Sequence, residues 1–289
     1  MKNILKFSFL AILSGFVMTS CDEDDSPTDP GDGGNGTTVD SSMYVSFEIG
    51  SYWVYQNEEY GGQTPEENMT RMDSVVVGSE EMYAGRMAYR YDTYSTDSTG
   101  NYSSDAEEEY YSEDNGDIYL HAISINRQLA SPEVAAIVDI DLGDTWLQIR
   151  ETDATGPREL LSKDILETEL TLSGIDATLK DAKLVVTASN DGEEMVDVSG
   201  TMVNSVKQKL TFTLTGTAEG EVFGQTISGA VNGTSEYTLW FSDSNGLIKS
   251  DFKPFAVTAD IPGFGESEIF SSSGNTKTLI RSQVSASSN

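Results

Sequence analysis

One cysteine, one histidine and three tryptophans are the scarce, chemically distinctive residues of this 289-residue chain, and their placement limits what it can do. Cys21 has no second cysteine with which to form an intramolecular disulfide. Standing directly after a short apolar leader, its thiol is better suited to thioether lipidation than to a cross-link. His121 follows Tyr119-Leu120 in a strand-like stretch, and as a general base it would need a nucleophile to which no motif points. With one imidazole and a modified cysteine, a zinc site of the usual kind has too few ligands. Hard oxygen ligands are more plentiful. Asp139, Asp141 and Asp144 lie within six residues around a glycine, a weak candidate for calcium whose spacing is not that of an EF-hand loop. Two carboxylates suffice for glycoside hydrolysis, but no clustered pair stands out among the 48 acidic residues, so the chain is read as non-catalytic.

Trp53, Trp146 and Trp240 each sit in a strand-like context, the first two shortly after glycines at 50 and 143. Large aromatics of this kind anchor a barrel or sandwich core. Lining a concave face instead, they would stack on sugars or pack against an acyl chain, which makes all three candidate ligand-facing residues.

Lys2 and Lys6 flank the start of an apolar run from Ile4 to Val17 that is short for a bilayer span, and Thr19-Ser20 supplies small residues before Cys21. Met18-Thr19-Ser20-Cys21 resembles the lipobox of bacterial lipoproteins, with Met18 in place of the usual Leu. Asp22-Glu23-Asp24-Asp25 resembles the acidic export signal of Bacteroidota surface lipoproteins. The resemblance implies a signal peptide over 1–20, an acylated Cys21 and attachment to the outer membrane with display at the cell surface. Several acyl chains would anchor it firmly. Asp73-Ser74-Val75 and Asp97-Ser98-Thr99 resemble the O-glycosylation acceptor of the same bacteria, which makes Ser74 and Ser98 candidate modification sites.

Charge removes one class of partner. With 17 basic residues against 48 acidic ones the formal net charge is −31, so nucleic acid is excluded as a ligand. Between residues 22 and 40 there are seven carboxylates and no Lys or Arg among Pro, Gly and Thr, the composition of a flexible tether. The remaining body, 41–289, is itself acidic, as suits solubility on a crowded surface.

The elements that would position these residues are strands. Tyr44–Phe47, Tyr52–Tyr55, Ser74–Val77, Met87–Tyr91, Ile118–Leu120, Ala136–Ile140, Leu184–Thr187 and Leu210–Leu214 are short runs rich in aromatic or β-branched residues, divided by Gly, Asn or acidic turns. Leu210, Phe212 and Leu214 alternate with threonines, so one face is buried and the other wet. From Val206 to Phe241 the Thr- and Gly-rich text reads as an antiparallel meander turning at Gly216–Gly220 and Asn232-Gly233. Helix is scarce: Pro157–Leu170 fits helical and strand spacing about equally. The regions of Gly143 and Gly174 mark a candidate boundary between two subdomains. Phe252, Phe255, Phe264 and Phe270 are left open between core and exposed rim, because Pro254, Pro262 and Gly263 interrupt their segment.

Gly50-Ser51-Tyr52-Trp53-Val54-Tyr55, Asn115-Gly116-Asp117-Ile118-Tyr119, Leu142-Gly143-Asp144-Thr145-Trp146 and Leu239-Trp240-Phe241-Ser242-Asp243-Ser244-Asn245-Gly246-Leu247-Ile248-Lys249 together resemble a loose group of secreted bacterial proteins of unknown function, whose body is similar to the LolA/LolB lipoprotein carriers. The resemblance implies a mainly β body, a curved antiparallel sheet or half-barrel, and transmits no activity. Three functions fit: a surface-anchored binding or accessory module for a glycan or an apolar ligand, a periplasmic carrier of lipid or lipoprotein, and an adhesion or structural protein without a small ligand.

Overall fold

The computed structural model describes residues 44–61, 69–129, 140, 142–172, 174–243 and 245–285. Contacts divide the chain into Met1–Val39 and Asp40–Asn289, and every described residue belongs to the second unit. Cys21, Asp139 and Asp141 lie outside the described residues, as does most of the expected strand Ala136–Ile140.

Among the described residues fifteen strands form one curled antiparallel sheet, a half-barrel, with a single short helix. In chain order they are β1 (Tyr52–Tyr60), β2 (Thr70–Tyr83), β3 (Arg86–Ser95), β4 (Glu107–Asp114), β5 (Asp117–His121), α1 (Ala122–Leu129), β6 (Trp146–Arg150), β7 (Arg158–Asp164), β8 (Thr168–Leu172), β9 (Ile175–Val198), β10 (Thr201–Val222), β11 (Gln225–Ser242), β12 (Gly246–Phe252), β13 (Ala256–Ile261), β14 (Gly265–Ser271) and β15 (Gly274–Gln283). The spatial order runs β6-β5-β4-β3-β2-β1-β15-β12-β11-β10-β9-β7, with β13 and β14 branching from β11 and β8 pairing with the start of β9. Thus β1 pairs with β15, nearly the whole chain length away, and seals the N-terminal meander to the C-terminal one.

Three long strands unify the body. β9, β10 and β11 each serve two neighbourhoods: their halves nearer β12 belong to the main half-barrel, and their other halves curl with β8, β13 and β14 around Leu170, Leu179, Val231, Val257 and Phe270. β9 changes partner from β8 to β7 at a bulge, where Asp181 takes a left-handed φ of 50° and the Ile165 N–H bonds the Ala182 carbonyl at 2.8 Å.

The structure corrects the expected meander. Gly216, Gly220 and Asn232-Gly233 lie inside strands, and the turn falls instead at Phe223-Gly224. These glycines mark close approach. A Cβ on Gly233 would stand 2.5 Å from Val257 Cγ2, and one on Gly229 would meet the Asp260 carbonyl and lie 2.9 Å from Ile261 Cα. Pro157–Leu170 resolves as strand: β7 pairs with β9, and β8 begins at Thr168. Phe252, Phe255 and Phe270 are core, whereas Phe264 is exposed beside its turn.

Tyr44–Phe47, expected as a strand, forms none of the named ones, and only Phe47 makes a β-bridge. The segment's backbone donors find a carboxylate instead: Glu113 accepts the Tyr44 N–H at 3.0 Å and the Val45 N–H at 2.9 Å, with the Ser46 hydroxyl at 3.2 Å. So held, Phe47 packs edge-on to Trp53 and the Val45 carbonyl accepts from the Tyr91 hydroxyl at 2.7 Å. The segment plugs one end of the half-barrel.

Candidate functional site

Side chains alternate along β1, so Trp53, Tyr55, Asn57 and Glu59 share the concave face. Antiparallel registry sets Trp53 beside Val75, Tyr55 beside Asp73 and Asn57 beside Arg71 on β2, and Asn57 beside Lys277 on β15. On β3, Thr93 and Ser95 stand opposite Val75 and Asp73. The concave face therefore changes character along its length. Near the plug it is aromatic and aliphatic, and at the Asn57 end it is polar.

The apolar half is filled. Trp53, Val75, Tyr91, Tyr111, Phe241 and Leu247 enclose only about 30 Å³, room for a water or two and far below the several hundred Å³ of ligand pockets. The Trp53 indole N–H donates to the Asn245 carbonyl at 2.6 Å, and the Tyr55 hydroxyl donates to the Leu247 carbonyl at 2.7 Å. Burial pushes the phenols of Tyr55, Tyr91 and Tyr111 well above their ordinary pKa.

The polar half opens into a cavity of about 200 Å³, whose lining includes Asn57, Arg71, Ser95, Arg127, Ser272 and Lys277. Behind Asn57, Arg71, Ser95 and Lys277 of this lining is a fully buried carboxylate. Asp73 Oδ2 lies 2.9 Å from Lys277 Nζ and accepts the Asn57 amide N–H at 3.0 Å, while Oδ1 accepts the Ser95 hydroxyl at 2.7 Å. Burial opposes the Asp73 charge, yet Lys277, Ser95 and Arg71 outweigh it and hold the carboxyl below its ordinary pKa. Lys277 is likewise disfavoured by burial and held above its ordinary value by Asp73 and Glu109. Arg71 reaches past Asp73, 3.7 Å away, to ion-pair with Glu59 at 2.6 Å.

Two buried atoms at this mouth have no hydrogen-bond partner among the described residues, Asn57 Oδ1 and Arg71 Nε. One is an acceptor and the other a donor, on directly opposed residues. Buried polar atoms normally find partners, so each of these unpaired atoms carries a desolvation cost that the fold bears at this point.

The expected site residues do not converge. Trp53 is core. Trp146 donates to the Ala84 carbonyl at 3.1 Å from a half-buried position, and Trp240 donates to Glu194 at 2.9 Å with Lys249 Nζ 4.8 Å from its ring centroid. His121 is buried, 2.9 Å from Asp144 through Nε2, with Nδ1 accepting the Ile123 N–H at 3.3 Å. The accepting Nδ1 places the proton of the neutral ring on Nε2. Burial lowers the His121 pKa against the opposing charge of Asp144. Tyr83 packs edge-on to the ring, at a centroid distance of 4.8 Å, and Trp146 does so at 5.1 Å. Asp144, a proposed calcium ligand, is thus engaged with a histidine, and among the described residues no three His, Cys, Asp or Glu side chains are placed to hold a metal. Ser98 is exposed in the Asp97–Asn101 loop, whereas Ser74 is half-buried within β2.

Asn57, Arg71 and Lys277 were not singled out by sequence, and Asp73 only as the first residue of the Asp73-Ser74-Val75 pattern. The available signal was polar residues on the core-facing phase of strands: Trp53 and Tyr55 give way to Asn57, and Val77 and Val75 to Asp73 and Arg71.

No protein-family model matches the chain, and no curated protein does. Among solved structures, a Parabacteroides distasonis protein provisionally described as a lipoprotein aligns over 83% of this chain and 100% of its own, at 13% identity and a TM-score of 0.38. A Bacteroides fragilis protein provisionally described as exported, with a YmcC-like fold, aligns over 84% of this chain and 99% of its own, at 9% identity and a TM-score of 0.37. At these values neither likeness carries an argument about this chain.

Proposed function

We propose that the protein is a lipid-anchored, non-catalytic binding module of the bacterial outer membrane, displayed at the cell surface, that takes a glycan at the polar end of its concave face. The location is supported by the sequence: an apolar leader, Cys21 as the acylated residue, and the acidic run Asp22–Asp25. The single observation that carries the binding reading is the contrast within the concave face. Its apolar half holds about 30 Å³ and its polar half about 200 Å³. A carrier of acyl chains needs the opposite distribution. The sole histidine, packed against aromatics and Asp144, supports a non-catalytic role, because no nucleophile among the described residues hydrogen-bonds to it.

Two measurements test this reading. Protease added to intact cells should cleave the body, and Cys21→Ser should release the chain from the membrane fraction; full protection would favour the periplasmic carrier. A fluorescent fatty acid titrated into the purified protein should show no saturable binding. Saturable micromolar binding would replace the glycan reading with the carrier reading.

A further inference from the structure

The methionines of this chain are placed unlike its other large apolar residues. Of the nine large hydrophobic side chains exposed among the described residues, four are methionine against one leucine and one isoleucine, although the whole chain has only nine methionines. The four form two pairs. Met82 and Met87, 65% and 50% exposed, stand directly opposite one another beside the Ala84-Gly85 turn between β2 and β3. Met195 and Met202, 52% and 57% exposed, share one face of the β9–β10 hairpin and lie diagonally across it beside the Ser199-Gly200 turn. Side chains this open bury little apolar surface, so packing does not account for either pair.

Each pair adjoins a tryptophan. The Ala84 carbonyl, in the turn between Met82 and Met87, accepts the Trp146 indole N–H at 3.1 Å, and Tyr83 stacks on Tyr110 at a centroid distance of 3.7 Å. Glu194, next to Met195, accepts the Trp240 indole N–H at 2.9 Å. The third tryptophan, Trp53, is sealed in the core. A thioether sulfur is soft and polarizable, and it takes an oxygen atom from electrophilic oxidants where they can reach it. With hypochlorous acid the O–Cl bond breaks and an S–O bond forms; the sulfur gives up two electrons, and chloride and a proton are released. A sulfoxide disrupts a core, but at these four positions its oxygen is hydrated. We propose that the two pairs are oxidation sites for hypohalous acids, and that each intercepts the oxidant before it reaches the tryptophan held by its own hairpin. This role is independent of what the polar end of the concave face binds.

The test is a titration of the purified, lipidated chain in detergent with hypochlorous acid at pH 7, read by peptide mass spectrometry and melting temperature. At about four equivalents, sulfoxide at Met82, Met87, Met195 and Met202 should exceed that at the half-buried Met69 and Met72 about tenfold, with Trp146 and Trp240 intact and the melting temperature unchanged. Equal oxidation of Met69 and Met72, or a fall in melting temperature, overturns the assignment of the sites. Two double variants test the guarding role, since leucine keeps the size and apolarity of methionine and lacks the sulfur. Met82→Leu with Met87→Leu should raise oxidation of Trp146 about threefold at a fixed dose and leave Trp240 unchanged, and Met195→Leu with Met202→Leu should do the reverse. No rise, or an equal rise at both tryptophans, overturns it. Where a leucine pair does not fold, the order of oxidation in the unaltered chain decides: tryptophan oxidised before the exposed methionines refutes the proposal.

Discussion

Replacing Lys277 with Met leaves the Asp73 carboxylate without its cation, in a site where the carboxylate is fully buried and Lys277 is largely so. At the observed 2.9 Å, and with an effective dielectric of about 20, the attraction amounts to about 6 kcal/mol. Several terms reduce the net loss. Asp73 keeps its bonds from Asn57 and Ser95, Arg71 remains 3.7 Å away, and the desolvation of the lysine is recovered. The expected cost of Lys277→Met is therefore about 3–5 kcal/mol, the range for removing one partner of a buried pair. Asp73→Asn combined with Lys277→Met removes both charges and should cost at least about 1.5 kcal/mol less than the sum of the single changes. Equilibrium denaturation in urea at pH 7 measures the cycle. The pH dependence supplies a second readout. Because the folded carboxyl has a depressed pKa, the unfolded chain binds more protons in the window below the ordinary aspartate value. Stability from the pair is complete above that value and lost as pH falls through the folded pKa. Without Lys277, burial acts with less opposition, the folded pKa rises, and acid unfolding should begin at a higher pH. A single-variant cost below about 1 kcal/mol, or an additive cycle, would refute the account of Asp73 and Lys277 as a mutually dependent buried pair.

Glu113→Ala removes the acceptor of the Tyr44 and Val45 amides and should cost about 1–3 kcal/mol, with faster hydrogen exchange confined to that segment; exchange unchanged at residues 44–46 would count against the latch. Burial holds the Glu113 pKa above its ordinary value against the hydrogen bonds that lower it. The folded state thus binds the proton more tightly, and this residue's contribution to stability falls as pH rises from the ordinary value through the folded one. Gly229→Ala, placing a methyl against the Asp260 carbonyl and Ile261, should lower stability by about 2 kcal/mol or more, whereas Gly156→Ala, with nothing within 4 Å, should change it little; equal melting shifts would refute the close-approach argument. Phe223 is fully exposed, with a φ of 51° at the first position of a two-residue turn, so Phe223→Asn should stabilise by about 0.5–1 kcal/mol, read as a rise in melting temperature.

The half-barrel was legible because its strands alternate cleanly: Leu210, Phe212 and Leu214 are all buried, as period two requires. Glycine misled where its two uses look alike in sequence. Gly216 and Gly233 are in-strand positions where a neighbour comes close, while Gly224 serves the turn, and only the lengths of β10 and β11 separate the two cases. Tyr44–Phe47 has strand composition, yet the Tyr44 and Val45 amides bond the side chain of Glu113, 69 and 68 residues away. No local pattern encodes that. The mouth was written in the sequence as polar residues at inward positions, but its meaning depended on register. Asn57 and Arg71 stand opposite one another only once β1 and β2 are aligned, and Lys277 joins them only because β15 closes onto β1.

The buried ion pair separates the demands of stability from those of function. Well-packed apolar residues of similar volume often replace such a pair with no loss of stability, so folding alone gives weak reason to keep Asp73 and Lys277. Their position gives a stronger one. They stand where the aromatic half of the concave face ends, at the far end of β1 from the Phe47 plug, and Asp73 orients Asn57 by accepting its amide. Filling this point with apolar groups would extend the core outward and free the Asn57 amide to turn either way. Asp73 thus fixes the orientation of the Asn57 amide, and Glu59 holds the terminal nitrogen of Arg71. In this arrangement the charges of Asp73, Lys277, Arg71 and Glu59 are neutralised within the protein. A chain of net charge −31 thus keeps its buried charges paired at the polar end of the concave face.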